Sequence, residues 1–278
     1  MLSDNSIQQT VRNALAEDIG DGDLTATLIP ESDRASACII CREPAILCGA
    51  PWFEEVFNQL DYQGTIRWEY KEGEWVSSNQ IICHLQGNTR ALLTGERTAL
   101  NFLQTLGGTA TQARRYADAV KGTKTRILDT RKTLPGLRNA QKYAVKCGGC
   151  FNHRMGLYDG ILVKENHIKA AGSIMAALEK IKPQSSDDIL LEVEVETLAE
   201  MKEALAAGAK RLLLDNFSID DLGTAVRYAR GKTVLEASGG ISLHDIKAVA
   251  ETGIDYISVG DITKNVRAID LSMQFDAV

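Results

Sequence analysis

Six positions in the second half of the chain combine residue types that do chemistry with a regular spacing. Asp129 to Lys132, Lys164, Glu194, Asp215, Ser238 and Gly260 each close a short apolar run. The last four steps are 30, 21, 23 and 22 residues, one strand-plus-helix unit apiece. In an α/β barrel the strand ends converge on one mouth, so these residues should meet there. The run LLEVEVE sharpens the picture, because side chains on a strand alternate faces. Glu192, Glu194 and Glu196 therefore share one face, and Leu191, Val193 and Val195 the other. Carboxylates turned into a barrel are costly unless a cation meets them. Glu194 and Asp215, on adjacent strand ends, suit Mg²⁺, which takes oxygen ligands and meets substrate phosphates. The alternative is a plain ion pair with Lys132 or Lys164.

The cations are concentrated too. Between Arg131 and Lys169 stand eight Lys/Arg against two Asp/Glu, in a chain whose net charge is −6. That balance argues against nucleic acid and for a small anionic ligand. Lys142 and Lys146 read as part of a solvated helix and explain only some of the block. Arg131 and Arg154 can each grip a carboxylate with two hydrogen bonds. His153, inside Asn-His-Arg, adds a donor, and Lys164 adds a point charge. Ser238-Gly239-Gly240 and Gly260 occupy the last two strand ends, where barrels often bind phosphate through loop amides. A tight turn would use the same residues. The mouth thus reads as a phosphate end, a divalent metal and a cationic pocket, fit for a phosphorylated sugar with pyrophosphate and a small polyanion.

The elements that must position these groups follow from periodicity. Ser3 to Glu17 reads as a helix with Ser3 or Asp4 at its cap. ASACIICR, AILCG, TIRWEY and the pair WVSS/QIICHLQG about Ser78-Asn79 read as one antiparallel sheet, with PWFEEVFNQL a helix among them. NTRALLTGERTALNFLQTL is a long helix with Leu92, Leu93, Leu100, Leu103 and Leu106 on or near one face. A first domain closes near Gly107-Gly108. Beyond it, RILDT, GILVK, DILLEVEVE, RLLLDN, TVLEAS and YISVG alternate with amphipathic stretches such as that from about Leu137 and GSIMAALEKIK. Repeats of this kind specify a parallel sheet covered by helices, an α/β barrel that need not close. No G-x-G-x-x-G follows a first strand, which weakens a dinucleotide-binding sheet.

The chain has 278 residues, 44% hydrophobic and 24% charged, enough for one large or two modest domains. No apolar run approaches a membrane span, and MLSDNSIQQT lacks an apolar signal core. A cytoplasmic protein is the expectation. Six cysteines include two C-x-x-C pairs, 38/41 and 147/150. A four-thiolate zinc site needs both pairs to meet, and the strand-like ASACIICR aims its pair poorly. Reduced, free thiols are expected instead.

The run LDTRKTLPGLRNAQKYAVKCGGCFNHRMGLYDGILVKENHI resembles the quinolinate phosphoribosyltransferase family. So do EDIGDGDLT, GERTALNFLQ, LEVEVET, LLLDNF, EASGGI and SVGDITKNVRAIDLSM, over nearly the whole chain. The resemblance implies an N-terminal α/β sandwich domain, 1–108, joined by a tail of about 267–278, and a C-terminal open α/β barrel, 109–266. It implies a transferase of NAD biosynthesis that takes quinolinate and phosphoribosyl pyrophosphate to nicotinate mononucleotide, pyrophosphate and carbon dioxide, with Mg²⁺. On that basis Arg131, His153, Arg154 and Lys164 form the quinolinate pocket, and Lys132 bridges toward phosphoribosyl pyrophosphate. Glu194 and Asp215 are the metal and ribose carboxylates. Ser238, Gly239, Gly240 and Gly260 cradle the 5′-phosphate. Arg97 is contributed across a homodimer.

Two features depart from the family pattern. Asp261 and Lys264 stand where alanine and histidine are usual, and Cys150 where glycine is. Neither touches the pyridine pocket. Three rival readings are a Schiff-base lyase using Lys164, a non-catalytic phosphosugar-binding protein, and a transferase acting on nicotinate. Paired Arg131 and Arg154 favour two carboxylates over one.

Overall fold

The computed structural model describes residues 4–181 and 189–276. Ser3 as a helix cap, Lys182, Asp188 and the last two residues of the tail lie outside them. Two compact units form: Met1–Arg114 with Thr133–Gly149 and Ile262–Val278, and Arg115–Lys132 with Cys150–Asp261.

In the first unit, helix α1 (Asp4–Ile19) precedes strand β1 (Arg34–Cys41), whose burial alternates as its sequence does. Strand β2 (Ala45–Ile46), helix α2 (Ala50–Gln59), β3 (Thr65–Trp68), β4 (Trp75–Val76) and β5 (Gln80–Asn88) follow. The last strand of the chain, β12 (Leu271–Phe275), pairs antiparallel with β1, giving the order β12-β1-β5-β3. The single sheet expected from sequence is in fact two, since β2 and β4 pair only with each other. Ser78-Asn79 is therefore no hairpin turn between paired strands. Asn79 takes a left-handed φ of 62° and its N–H donates to Cys41 O at 2.6 Å, fastening the turn to the end of β1.

Helix α3 (Thr89–Ala119) runs straight through Gly107-Gly108. Glycine in a helix costs only about 1 kcal/mol relative to alanine, and here its smallness is used. A Cβ on Gly107 would lie 2.6 Å from Ile269 Cδ1, and one on Gly108 2.2 Å from Arg267 O. The chain's C-terminal segment crosses the helix at that point. Of the five leucines, Leu93 is exposed, while Leu92, Leu100, Leu103 and Leu106 join a core with Trp52, Phe53 and Phe57 of α2. Helix α4 (Arg138–Cys147) adds Ala140 and Ala144 to that core. Lys142 of α4 is 1% exposed, so it is not the solvated helix residue its charge suggested. It shares the inner face with Gln141 and Val145.

The second unit is a six-stranded parallel sheet: β6 (Arg126–Leu128), β7 (Gly160–Val163), β8 (Leu190–Val195), β9 (Arg211–Asp215), β10 (Val234–Ser238) and β11 (Tyr256–Ser258), in the order β6-β11-β10-β9-β8-β7. Among the described residues β6 and β7 do not pair, so the barrel is open. Phe151, bridged to Leu128, extends the β6 edge. Helices α5 (Glu165–Ala171), α6 (Ile174–Ile181), α7 (Leu198–Ala206), α8 (Ile219–Ala229), α9 (Ile246–Glu251) and the one-turn α10 (Asp261–Lys264) connect the strands. Thr197 and Ser218 cap α7 and α8, accepting from Glu200 N and Asp221 N. Helix α5 was not foreseen, because ENHIKAA is too short and too polar to show an apolar stripe. Among the described residues no helix is long and apolar enough to cross a membrane.

Candidate active site

The mouth of the open barrel is built outward from buried acids. Asp129, fully buried just after β6, accepts from His153 N at 2.9 Å and from Asn152 Nδ2 at 2.6 Å. This ties the Asn-His-Arg segment to the strand end. His153 Nδ1 then accepts from the Arg154 N–H at 2.7 Å. A backbone N–H can only donate, so the neutral ring carries its proton on Nε2. That proton faces Glu192 Oε2 at 3.0 Å, with Glu236 Oε1 at 3.5 Å.

Glu192 and Glu236 are both 0% exposed. Arg211, on the first position of β9, bonds both, reaching Glu192 Oε1 at 2.9 Å and Glu236 Oε2 more closely still. Its guanidinium lies over the Tyr256 ring, 4.6 Å from the centroid. Burial works to raise the pKa of Glu192, but the His153 hydrogen bond and the Arg211 charge outweigh it and hold the group below its ordinary range. Burial raises Glu236, and the charge of Glu192 raises it further, against partial relief from His153 and Arg211. The two acids are thus pushed in opposite directions, Glu192 down and Glu236 up. A buried ion pair of this sort needs every partner in place.

Around this plug lie the cations. Arg154 Nη1 donates to Gly160 O at 2.7 Å. Burial first, and neighbouring Arg131 second, hold the Arg154 guanidinium below its usual pKa. Two like charges pressed together are a site for an anion. Arg131, Arg154, Gly160, Lys164 and His167 line a cavity of about 430 Å³. Lys164 Nζ meets Glu194 Oε2 at 2.7 Å, the plain ion pair foreseen as the alternative to a metal. The Lys164 backbone N–H donates to His167 Nδ1 at 3.0 Å, fixing the start of α5.

The neighbouring strand ends carry the remaining groups. Asp215 and Ser238 are register partners across β9 and β10. Asp215 Oδ2 accepts from Asn216 Nδ2 at 2.8 Å. Gly239 has φ +103°, and a Cβ there would lie 2.2 Å from Asn216 Oδ1, so only glycine fits. Gly240, also at positive φ, is exposed. A Cβ on Gly260 would lie 3.0 Å from Lys132 Cδ, which sets Lys132 beside the end of β11. Asp261 accepts from the Tyr116 hydroxyl at 3.4 Å, and burial with the Asp261 charge pushes that hydroxyl up to about 12.

Arg131, Arg154 and Lys164 therefore share one cavity, Lys164 and Glu194 touch, and Lys132 and Gly260 touch. Arg97 is exposed on α3, in the other unit. Glu194 and Asp215 offer only oxygen donors, the set a hard divalent cation takes. Sequence reasoning placed Asp129 at a strand end and turned Glu192 into the barrel without giving either a specific partner, and it passed over Arg211 and Glu236. A faint signal existed, since Glu236 stands two residues before Ser238 and shares its face of β10.

Comparison with known proteins places this geometry. Residues 23–106 match the N-terminal domain and residues 109–274 the C-terminal domain of quinolinate phosphoribosyl transferase. The chain is 39% identical to a probable nicotinate-nucleotide pyrophosphorylase [carboxylating] of Bacillus subtilis over 96% of this chain and 92% of that one. It is 40% identical to the nicotinate-nucleotide pyrophosphorylase [carboxylating] of Mycobacterium leprae over 98% and 99%. A solved nicotinate-nucleotide pyrophosphorylase from Francisella tularensis superposes with a TM-score of 0.95 at 49% identity, covering 99% and 98% of the two chains. The chain belongs to the quinolinate phosphoribosyl transferase family.

Proposed function

We propose that this protein transfers the phosphoribosyl group of phosphoribosyl pyrophosphate to quinolinate, with decarboxylation, giving nicotinate mononucleotide, pyrophosphate and carbon dioxide. The observation that carries this reading is the cavity in which Arg131, Arg154 and Lys164 stand together, beside Glu194. Two arginines and a lysine match two carboxylates on one ring. Anchoring both aims the ring nitrogen at the ribose anomeric carbon. Such positioning can lower a barrier by roughly 7–11 kcal/mol at best. Lys132, held beside Gly260, faces the pyrophosphate leaving group, and Ser238, Gly239 and Gly240 cradle the 5′-phosphate. Glu194 and Asp215 stabilise positive charge developing on the ribose. The same two carboxylates would hold Mg²⁺, which would supply positive charge against the charge developing on the leaving group. After the nitrogen–carbon bond forms and pyrophosphate leaves, the ring nitrogen is cationic. When the adjacent carboxylate departs as carbon dioxide, its electron pair stays on the ring carbon, the neighbouring cationic nitrogen stabilises it as an ylide, and a proton from water replaces the lost group, so the chemistry needs no organic cofactor.

Arg97 serves the site of a partner subunit in a homodimer, a role its exposure on α3 permits. A cytoplasmic setting completes the reading. A Schiff-base nucleophile at Lys164 would leave Glu194 and Asp215 without a role.

The test is an assay of the full chain with phosphoribosyl pyrophosphate and Mg²⁺, offering quinolinate and nicotinate side by side. Pyrophosphate and carbon dioxide should appear in equal amounts with quinolinate alone. Equal turnover of nicotinate, no release of either product, or a borohydride-trapped adduct on Lys164 would overturn the reading.

A further inference from the structure

A second group of titratable side chains lies in the first unit, apart from the chemistry above. Cys48 sits between β2 and α2, Glu72 in the β3–β4 loop, and Cys147 at the last position of α4. The two sulfurs and a Glu72 oxygen all lie within 4.8 Å of one another. Cys147 Sγ stands 3.6 Å from Glu72 Oε2. Cys48, fully buried at 1% exposure, is in hydrogen-bond contact with both Cys147 and Glu72. The C-x-x-C spacing does not build this group, for Cys150 belongs to the other unit.

We propose that Cys48, Glu72 and Cys147 form a binding site for a zinc-class divalent cation. The edge length is the first reason. Zinc–sulfur and zinc–oxygen bonds of about 2.3 and about 2.0 Å at a tetrahedral angle put sulfur and oxygen about 3.5 Å apart. The Cys147–Glu72 edge already has that length. Ligand type is the second. Two thiolates with one carboxylate select a borderline-soft ion and discriminate against Mg²⁺.

Preorganisation is the third reason. Glu72 is oriented by the Gly49 and Ala50 N–H groups, which donate to Oε1 at 2.9 and 2.7 Å. Arg114 grips the backbone beside two of the ligands, donating to Gly148 O at 3.1 Å and Gly73 O at 3.4 Å. Supports of this kind are what fix metal ligands in place. Tyr143, hydrogen-bonded to Glu72, lies against the same group. Without a cation, burial first and then Cys147 and Glu72 hold the Cys48 thiol well above its ordinary pKa. A plain hydrogen-bonded hub capping α2 is the competing account, and it predicts no metal uptake.

The experiment adds Co²⁺ to the reduced full-length protein in excess Mg²⁺. Thiolate-to-cobalt charge-transfer and tetrahedral d–d bands should appear and saturate near one ion per chain. Zn²⁺ should erase them. Cys147→Ser should abolish the charge-transfer band, and Glu72→Gln should weaken binding. A featureless wild-type spectrum, or a band that survives Cys147→Ser, overturns the site. A second measurement needs no variant: alkylation of native wild-type thiols, mapped by mass spectrometry, with and without Zn²⁺. Zn²⁺ should slow modification of Cys147 and leave Cys38 unchanged. Unaltered Cys147 reactivity, or a Cys48–Cys147 disulfide formed in protein that takes up no metal, likewise overturns it.

Discussion

His153 joins the backbone of Arg154 to the buried carboxylate of Glu192: one ring nitrogen takes the Arg154 N–H at 2.7 Å, and the other meets Glu192 at 3.0 Å. The backbone of Arg154, which lines the cavity proposed for quinolinate, is thus tied to a carboxylate inside the barrel. Glu192→Gln should separate from Glu236→Gln for this reason. The first removes the charge that Arg211 and His153 share, and breaking a buried pair typically costs about 3–5 kcal/mol. It should also lower kcat/KM by roughly 100-fold through misplacement. Melting curves and steady-state kinetics on both variants check this; equal effects would contradict it.

Glu236 gives the opposite sign with pH. Its folded pKa is raised, by burial first and Glu192 next. Stability linked to it is therefore complete below the ordinary glutamate range and is lost as pH rises through the raised value. Glutamine mimics the protonated form. Glu236→Gln should gain on wild type in Tm as pH increases above about 4.5. A Tm difference that stays flat with pH would contradict the assignment.

Arg154→Ala, and separately Lys164→Ala, should abolish turnover while circular dichroism still reports a folded chain. Each removes one of the four cations that line the cavity, Arg131, Arg154, Lys164 and Lys180. A variant with normal kcat/KM for quinolinate would remove that residue from the scheme.

Arg97→Ala mixed with an inactive barrel variant such as Lys164→Ala should recover activity in hybrid dimers. One of the two sites then has both an intact Arg97 and an intact barrel. Failure to recover in demonstrably mixed dimers would count against a shared site.

Gly239→Ala forces a Cβ onto Asn216 at a left-handed φ. The expected cost is about 1–3 kcal/mol of stability, with a raised KM for phosphoribosyl pyrophosphate. Unchanged KM would separate this turn from phosphate binding.

The sequence by itself determined the strand ends and their order. Its second half repeats one unit, most strands are apolar and most helices amphipathic, and these are local periodicities that tertiary packing only reinforces. It also determined which residues close the strands, because a residue's place at a strand end follows from chain position. Tertiary structure decided three other things. It showed that Gly107-Gly108 lets another segment cross α3 rather than ending it. It paired β4 with β2 rather than with β5, since strand pairing is a contact between distant segments. It gathered Glu192, Arg211, Glu236 and His153 into one buried network, and Cys48 with Cys147, nearly a hundred residues apart, into another. Periodicity reports which face a side chain takes, but not which partner from another strand or helix will meet it there.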